Sequence, residues 1–334
     1  MYKNILIILF INFFIFSCMP LKETSLFSNR EELNKDEMAL QGNAVISAIA
    51  SASRKMHDIS WKIMKANKNY CDDGRINAFG IMVASSKDLD LDLRPSFLAA
   101  SPYYNSYSKN LNDDLVMIVS VAEESPAYRA GVKEGDFILK INDNNYNVNS
   151  YKKLLKVAAE NNYLELIILR NEEEFNFSLN SEIVCGYPVQ PMISPIPNAY
   201  ADGSKIFITI ATLDFIKDDQ ELAFLIGHEL AHNIVHYGGK GMPEVDALPL
   251  PINDNPIIRN IGDVFIFQSG KKETEADMLG VEYVLRAGIK QDKAADYFRR
   301  LSIYMPVLMK DSIFRMHPGN INRAFEIENK VKNY

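Results

Sequence analysis

The chain has 334 residues, room for about two domains, and 47% of them are hydrophobic, ample for packed cores. A net charge of −7 without a basic stripe argues against nucleic acid as a partner. After the first residues no apolar run approaches the length needed to span a bilayer.

Met1 to Cys18 reads as a targeting segment. Lys3 supplies a basic start, and Asn4 to Phe16 is apolar but too short to span as a stable helix. The end, Ile15-Phe16-Ser17-Cys18, resembles a bacterial lipobox. That resemblance implies acylation of Cys18 after cleavage and an exported, periplasm-facing lipoprotein held at the membrane of the cell envelope. Simple secretion or an uncleaved anchor is the alternative. Residues 19–71 form an N-terminal helical segment. Between Asp36 and Lys68 there is no proline, and Val45, Ile49, Ala52, Met56, Ile59 and Ile63 keep helical spacing. The pattern predicts one long helix packed against the C-terminal unit. His57, with no partner in view, is expected to be solvated.

Residues 72–182 change character. A helix ending at Gly131, a turn at Gly135-Asp136 and an apolar strand from Phe137 are followed by a helix over Ser150–Ala159. A hairpin then runs through Leu164–Leu169 and Phe175–Leu179 around Asn171. The stretch from Ser125 to Asn142 resembles the signature of bacterial PDZ domains. The resemblance implies that the loop Phe79-Gly80-Ile81 captures a peptide carboxylate and that the peptide adds as a strand beside Ile81 to Val83. Ser86 to Asp114 is a polar excursion that could cover this groove. Cys71 and Cys185 flank the module. In an oxidising compartment they can join its two ends; otherwise they are two buried thiols.

Residues 183–334 carry the chemistry. Gln220 to Gly238 reads as a helix, with Asp218 and Glu221 at capping-box spacing and glycines as its stop. His228 and His232 are four residues apart and share one face, so both rings can hold one zinc ion. Glu229 can then serve an attacking water as a base without being a ligand. A second helix opens at Glu273 and stops at Gly288. It places Glu273, the third metal ligand, on one face with Asp277, a partner for a ligand histidine's other ring nitrogen, and with Gly280, which permits close helix packing. Glu275 lies off that face. His236 is too far along its helix to share the ion. The loop between His236 and Glu273, rich in glycine and proline, is a candidate lid.

His228-Glu229-Leu230-Ala231-His232 followed by Glu273-Thr274-Glu275-Ala276-Asp277 resembles the gluzincin metallopeptidases that include the HtpX-like and CAAX prenyl proteases. Asn198-Ala199, Leu285-Arg286-Ala287-Gly288 and His317-Pro318 with Arg323 extend the likeness over about Val184 to Glu328. It implies one zinc ion on His228, His232 and Glu273, with Glu229 as the catalytic base. His317 is then either a fourth ligand that closes the site or a donor to the oxyanion. Arg323 does that second job or binds substrate carbonyls. The fold class expected is α+β: a mainly helical zincin-type peptidase domain with a small edge-strand sheet, plus an inserted PDZ-like β-rich domain. Ile206 to Ala211 is the expected edge strand that pairs with substrate. The expected function is zinc-dependent endopeptidase action on protein or peptide substrates, unfolded or misassembled envelope proteins by family analogy. The competing readings are a latched zinc protein acting as a PDZ-based chaperone or adaptor and, less well supported, a secreted aminopeptidase.

Overall fold

A computed structural model describes residues 30–89, 93–104, 115–145, 150–238, 270–304 and 321–334. The targeting segment with Cys18, nearly all of the glycine- and proline-rich loop before Glu273, and His317 lie outside them. Among the described residues no helix is long and apolar enough to cross a membrane. The chain divides into two units, Met1–Leu40 and Gln41–Tyr334. The described part of the first is the start of helix α1 (Arg30–Ala66), exposed from Asn34 to Leu40.

In the second unit α1 serves two cores. Ile46 and Ile49 join the β-rich module, whereas Ala52, Met56, Ile63 and Met64 join the C-terminal helical part. Gly42 meets Ser96 and Leu93, at and just before helix α2 (Arg94–Ala99). His57, expected to be solvated, is buried. Its Nδ1 lies 3.0 Å from Ser120 Oγ, because the α1 face that carries it is covered by the β-rich module.

That module begins with β1 (Arg75–Ala78) and β2 (Ile81–Ser85), followed after α2 by β3 (Val116–Val121) and α3 (Pro126–Ala130). Next come β4 (Phe137–Ile141), β5 (Asn144–Asn145), α4 (Tyr151–Glu160), β6 (Tyr163–Arg170), β7 (Glu173–Asn180) and β8 (Glu182–Cys185). The main sheet runs β2-β3-β4-β6-β7, with β5 on β4, so β2 is an edge strand among the described residues. The β6–β7 turn works because Asn171 and Glu172 both take positive φ, as a two-residue hairpin requires. The described part of the Ser86–Asp114 excursion sends Phe97 and Leu98 into the module's core instead of over the groove. Asp136, fully buried, is balanced by a two-pronged pair with Arg170 at 2.6 Å on each oxygen.

β1 pairs antiparallel with β8, and a Cys71–Cys185 disulfide with a Cα separation of 5.8 Å closes the base of the module. Asn67, at the end of α1, donates to the carbonyl of Tyr283 at 2.8 Å and so ties this base to the helix that carries Glu273.

The C-terminal part contains β9 (Val189–Met192), β10 (Ala199–Ala201), β11 (Ile206–Thr209), α5 (Ile210–Phe215) and α6 (Asp219–Ala231). It continues with α7 (Gly270–Arg286), α8 (Asp296–Tyr304) and α9 (Ile321–Lys332). The expected edge strand is corrected here in two ways. β11 is the central strand of the order β10-β11-β9, so both of its edges are already paired. It also ends at Thr209, whose hydroxyl accepts the Thr212 N–H at 3.1 Å and turns Ile210 and Ala211 into helix. Among the described residues the edges belong to β10 and β9. At α6 the Asp218 carboxylate caps the Gln220 N–H at 2.8 Å, but Glu221 pairs with Arg300 where a capping box would turn it back.

Candidate metal centre

Two helices make the centre. α6 is buried along almost its whole length, and it packs on α7 where Gly227 faces Gly280. A Cβ at Gly280 would stand 2.7 Å from the His228 backbone nitrogen, and one at Gly227 would stand 2.6 Å from the Gly280 carbonyl oxygen. Only hydrogen at both positions lets the backbones come this close. The close approach brings the carboxylate of Glu273 to the imidazoles.

His228 Nε2 and His232 Nε2 are 3.1 Å apart. Glu273 completes the triangle, with Oε2 3.5 Å from His228 Nε2 and Oε1 3.3 Å from His232 Nε2. Four ligands at ~2.0–2.1 Å around zinc stand roughly 3.4 Å from one another, the edge of that tetrahedron. The three separations, those to Glu273 being to its two different oxygens, lie near this length, and among the described residues the same three side chains form the group able to hold a metal ion. The donor set fits: two imidazole nitrogens and one carboxylate, each at most 2% exposed. Glu229 is equally buried and offers no ligand atom to this triangle. Its Oε2 has no hydrogen-bond partner among the described residues.

Around the triangle lies a shell of charge. Asp277 Oδ1 is 2.9 Å from His228 Nδ1, on the ring edge away from the Nε2 that faces the triangle. Arg323 bonds Asp277 through Nε at 2.5 Å and Nη2 at 2.6 Å, and its Nη1 is 3.3 Å from Glu273. Arg323 is expected to donate to the oxyanion or to bind substrate carbonyls. Here it is buried, with its guanidinium on the carboxylates of Asp277 and Glu273, which offset a desolvated cation. Burial works against charge on Asp277, but Arg323 and His228 hold its carboxyl below the usual range.

Burial also lowers His232, aided by the neighbouring His228. For His228 burial again lowers, yet Asp277 and Glu273 outweigh it and push the imidazole up to about 10. His228 is therefore expected to carry a proton in the metal-free chain at neutral pH. Metal uptake at pH 8 is expected to release about one proton, and apparent affinity is expected to climb with pH until about 10. Calorimetry in buffers of different ionisation enthalpy measures this; uptake without proton release would contradict it. Because the folded value lies above the unfolded 6.5, His228 stabilises the metal-free chain below pH 6.5 and loses that contribution as pH rises through about 10.

Five further contacts brace the centre. Past Ala231 the helix widens to a π turn over His232–His236, closed by the Tyr237 N–H on the His232 carbonyl at 3.0 Å. Asn233 on that turn accepts from Gly203 N at 2.7 Å and donates to Lys205 O at 3.1 Å, pinning the β10–β11 turn to the histidine helix. His236 Nδ1 lies 2.8 Å from His232 Nδ1, and Glu275 Oε2 lies 3.2 Å from His236 Nε2. The His232–His236 pair lies at helical spacing and is legible in the sequence; the His236–Glu275 pair joins helices 39 residues apart and is not.

In the β-rich module Phe79 and Ile81 are buried and, with Ala78, Val83, Leu155 and Ala159, line a narrow apolar groove between β2 and α4. Gly80 takes φ +76° and its missing Cβ makes room for Ser125, which would otherwise lie 2.0 Å away.

Peptidase family M48 matches residues 158–237, and the PDZ domain family matches residues 117–170. The chain is similar to the mitochondrial metalloendopeptidase OMA1 of Saccharomyces cerevisiae, 24% identical over 151 residues, which cover 41% of this chain and 43% of that protein. The match thus spans less than half the length of that relative. Among solved structures, the HtrA3 PDZ domain bound to a phage-derived ligand is 24% identical with a TM-score of 0.26, over 34% of this chain and 92% of that one. The HtrA-type protease AlgW with a decapeptide is 18% identical with a TM-score of 0.24, over 33% of this chain and 30% of that one. The M48 match ends before Glu273, so the third donor of the triangle rests on the geometry alone. The chain carries a peptidase family M48 domain together with a PDZ domain.

Proposed function

We propose that the chain is a zinc-dependent endopeptidase whose PDZ domain docks the apolar C-terminal tails of its protein substrates. The observation that carries this reading is the buried His228–His232–Glu273 triangle, of tetrahedral edge length, with an acid beside it that makes no bond to the set. Zinc held there supplies a Lewis acid that polarises a peptide carbonyl and acidifies water. Glu229 takes the proton of the attacking water and delivers it to the leaving amine. Asp277 keeps His228 in its ligating tautomer, and Arg323 keeps Asp277 ionised and holds Glu273 in place. A substrate strand is offered the edge of β10, since β11 is closed on both sides. The PDZ groove, lined by apolar side chains beside an edge strand, suits a peptide that adds to β2.

The test uses the chain loaded with zinc, an unfolded casein-type protein and a fluorescent apolar tail peptide. Hydrolysis is expected to vanish with a chelator and return with zinc. A chain that binds the tail and keeps zinc but never cleaves is an adaptor, and the endopeptidase reading fails.

Envelope substrates and a lipid anchor are proposed from the targeting segment alone. The anchor predicts that the protein partitions into detergent and that Cys18→Ser abolishes this; equal partitioning of both forms removes the anchor.

A further inference from the structure

We propose that His236 and Glu275 are positioning residues that select the metal-binding tautomer of His232. The proposal rests on the reading that the triangle holds a divalent ion. It adds a function for two side chains outside the triangle.

The two ligand histidines are supported differently. His228 has a carboxylate directly on Nδ1, Asp277 at 2.9 Å. On the Nδ1 side of His232 the structure places a second imidazole, His236, at 2.8 Å between Nδ1 atoms. Two ring nitrogens at that distance share one proton: one donates, the other accepts. If His236 donated, the proton of neutral His232 would sit on Nε2, the atom aimed at Glu273 and His228, and His232 could not ligate. If His232 donates, its Nε2 lone pair is free, and the proton of His236 sits on its Nε2. That nitrogen lies 3.2 Å from Glu275 Oε2, an acceptor when ionised. The carboxylate therefore settles the direction of both bonds. Glu275 holds the proton on His236 Nε2, which makes His236 Nδ1 an acceptor, which draws the His232 proton to Nδ1.

The geometry comes from the π turn, which carries both histidines along one face. His236's side chain is 4% exposed while that of Glu275 is 50% exposed, so the relay runs from a wet carboxylate to a dry ligand. Asp277 has Arg323 to hold it; Glu275 stands on α7 two residues after Glu273, so one helix delivers both a ligand and a brace.

The experiment measures zinc affinity by competition with a chelator of known strength, on the full chain, with melting of the metal-free forms alongside. His236→Ala is expected to weaken zinc by about 10–100-fold, and Glu275→Ala to weaken it in the same direction. His236→Asn places an amide oxygen near the lost Nδ1 and is expected to restore most of the affinity. His236→Gln, whose carbonyl falls nearer the Nε2 position, is not. Zinc affinity in His236→Ala equal to wild type, or equal affinities in the Asn and Gln variants, overturns the relay. Failure of the wild type to bind zinc would instead overturn the metal reading.

Discussion

Replacing Glu229 by glutamine is expected to lower peptide hydrolysis by the zinc-loaded chain by about 10²–10⁴-fold with zinc content unchanged. The substitution keeps the shape of the side chain and removes only its basicity. Glu229 is buried, and its Oε2 has no hydrogen-bond partner among the described residues, so the amide displaces no partner there. The metal triangle is built from His228, His232 and Glu273, so it loses no donor. Elemental analysis beside kcat/KM on an unfolded substrate separates the two effects. Undiminished cleavage by this variant would remove Glu229 from the mechanism, while loss of zinc would show it to be a ligand.

The second large effect is on stability. Arg323→Ala is expected to cost the metal-free chain about 3–5 kcal/mol, measured by denaturant unfolding, because it strands buried carboxylates. Arg323 is 3% exposed and meets Asp277 through two nitrogens and Glu273 through a third. Lysine should recover little, since a single ammonium cannot present the planar fork that matches a carboxylate. The same pair sets the acid side of the profile. Asp277 is held below its ordinary value, so its contribution is present above about pH 4 and is lost as pH falls through the folded value. If Arg323→Ala unfolds like wild type at neutral pH, the guanidinium does not stabilise the centre, and a substrate-facing role reopens.

Much of the centre could be read along the chain because its decisive relations are local. Four residues separate His228 from His232 and four separate Glu273 from Asp277, and a helix turns such spacings into shared faces. A glycine at 280 can be suspected from the same periodicity. The PDZ signature is equally local: Gly131 and Gly135 each take positive φ, which the chain announces by residue type.

Other assignments turned on partners no spacing reveals. The run from Ile206 is apolar enough for a strand, yet whether a strand lies at an edge depends on what pairs with it, and β9 and β10 flank it on both sides. Arg323 is laid by α9 against Asp277 and Glu273, carboxylates 46 and 50 residues before it in the chain. His57 looked solvated until β3 brought Ser120 to its ring. His236 and Glu275, both set aside as ligands, meet each other because α6 and α7 cross at two glycines. The amino-acid sequence by itself determined which residues share a face within each helix and where the chain turns. Those properties follow from backbone geometry over a few residues. Only the tertiary structure decided which edges are open and which charges are spent, because a buried polar group takes whatever partner the packing delivers, and that partner lies anywhere in the chain.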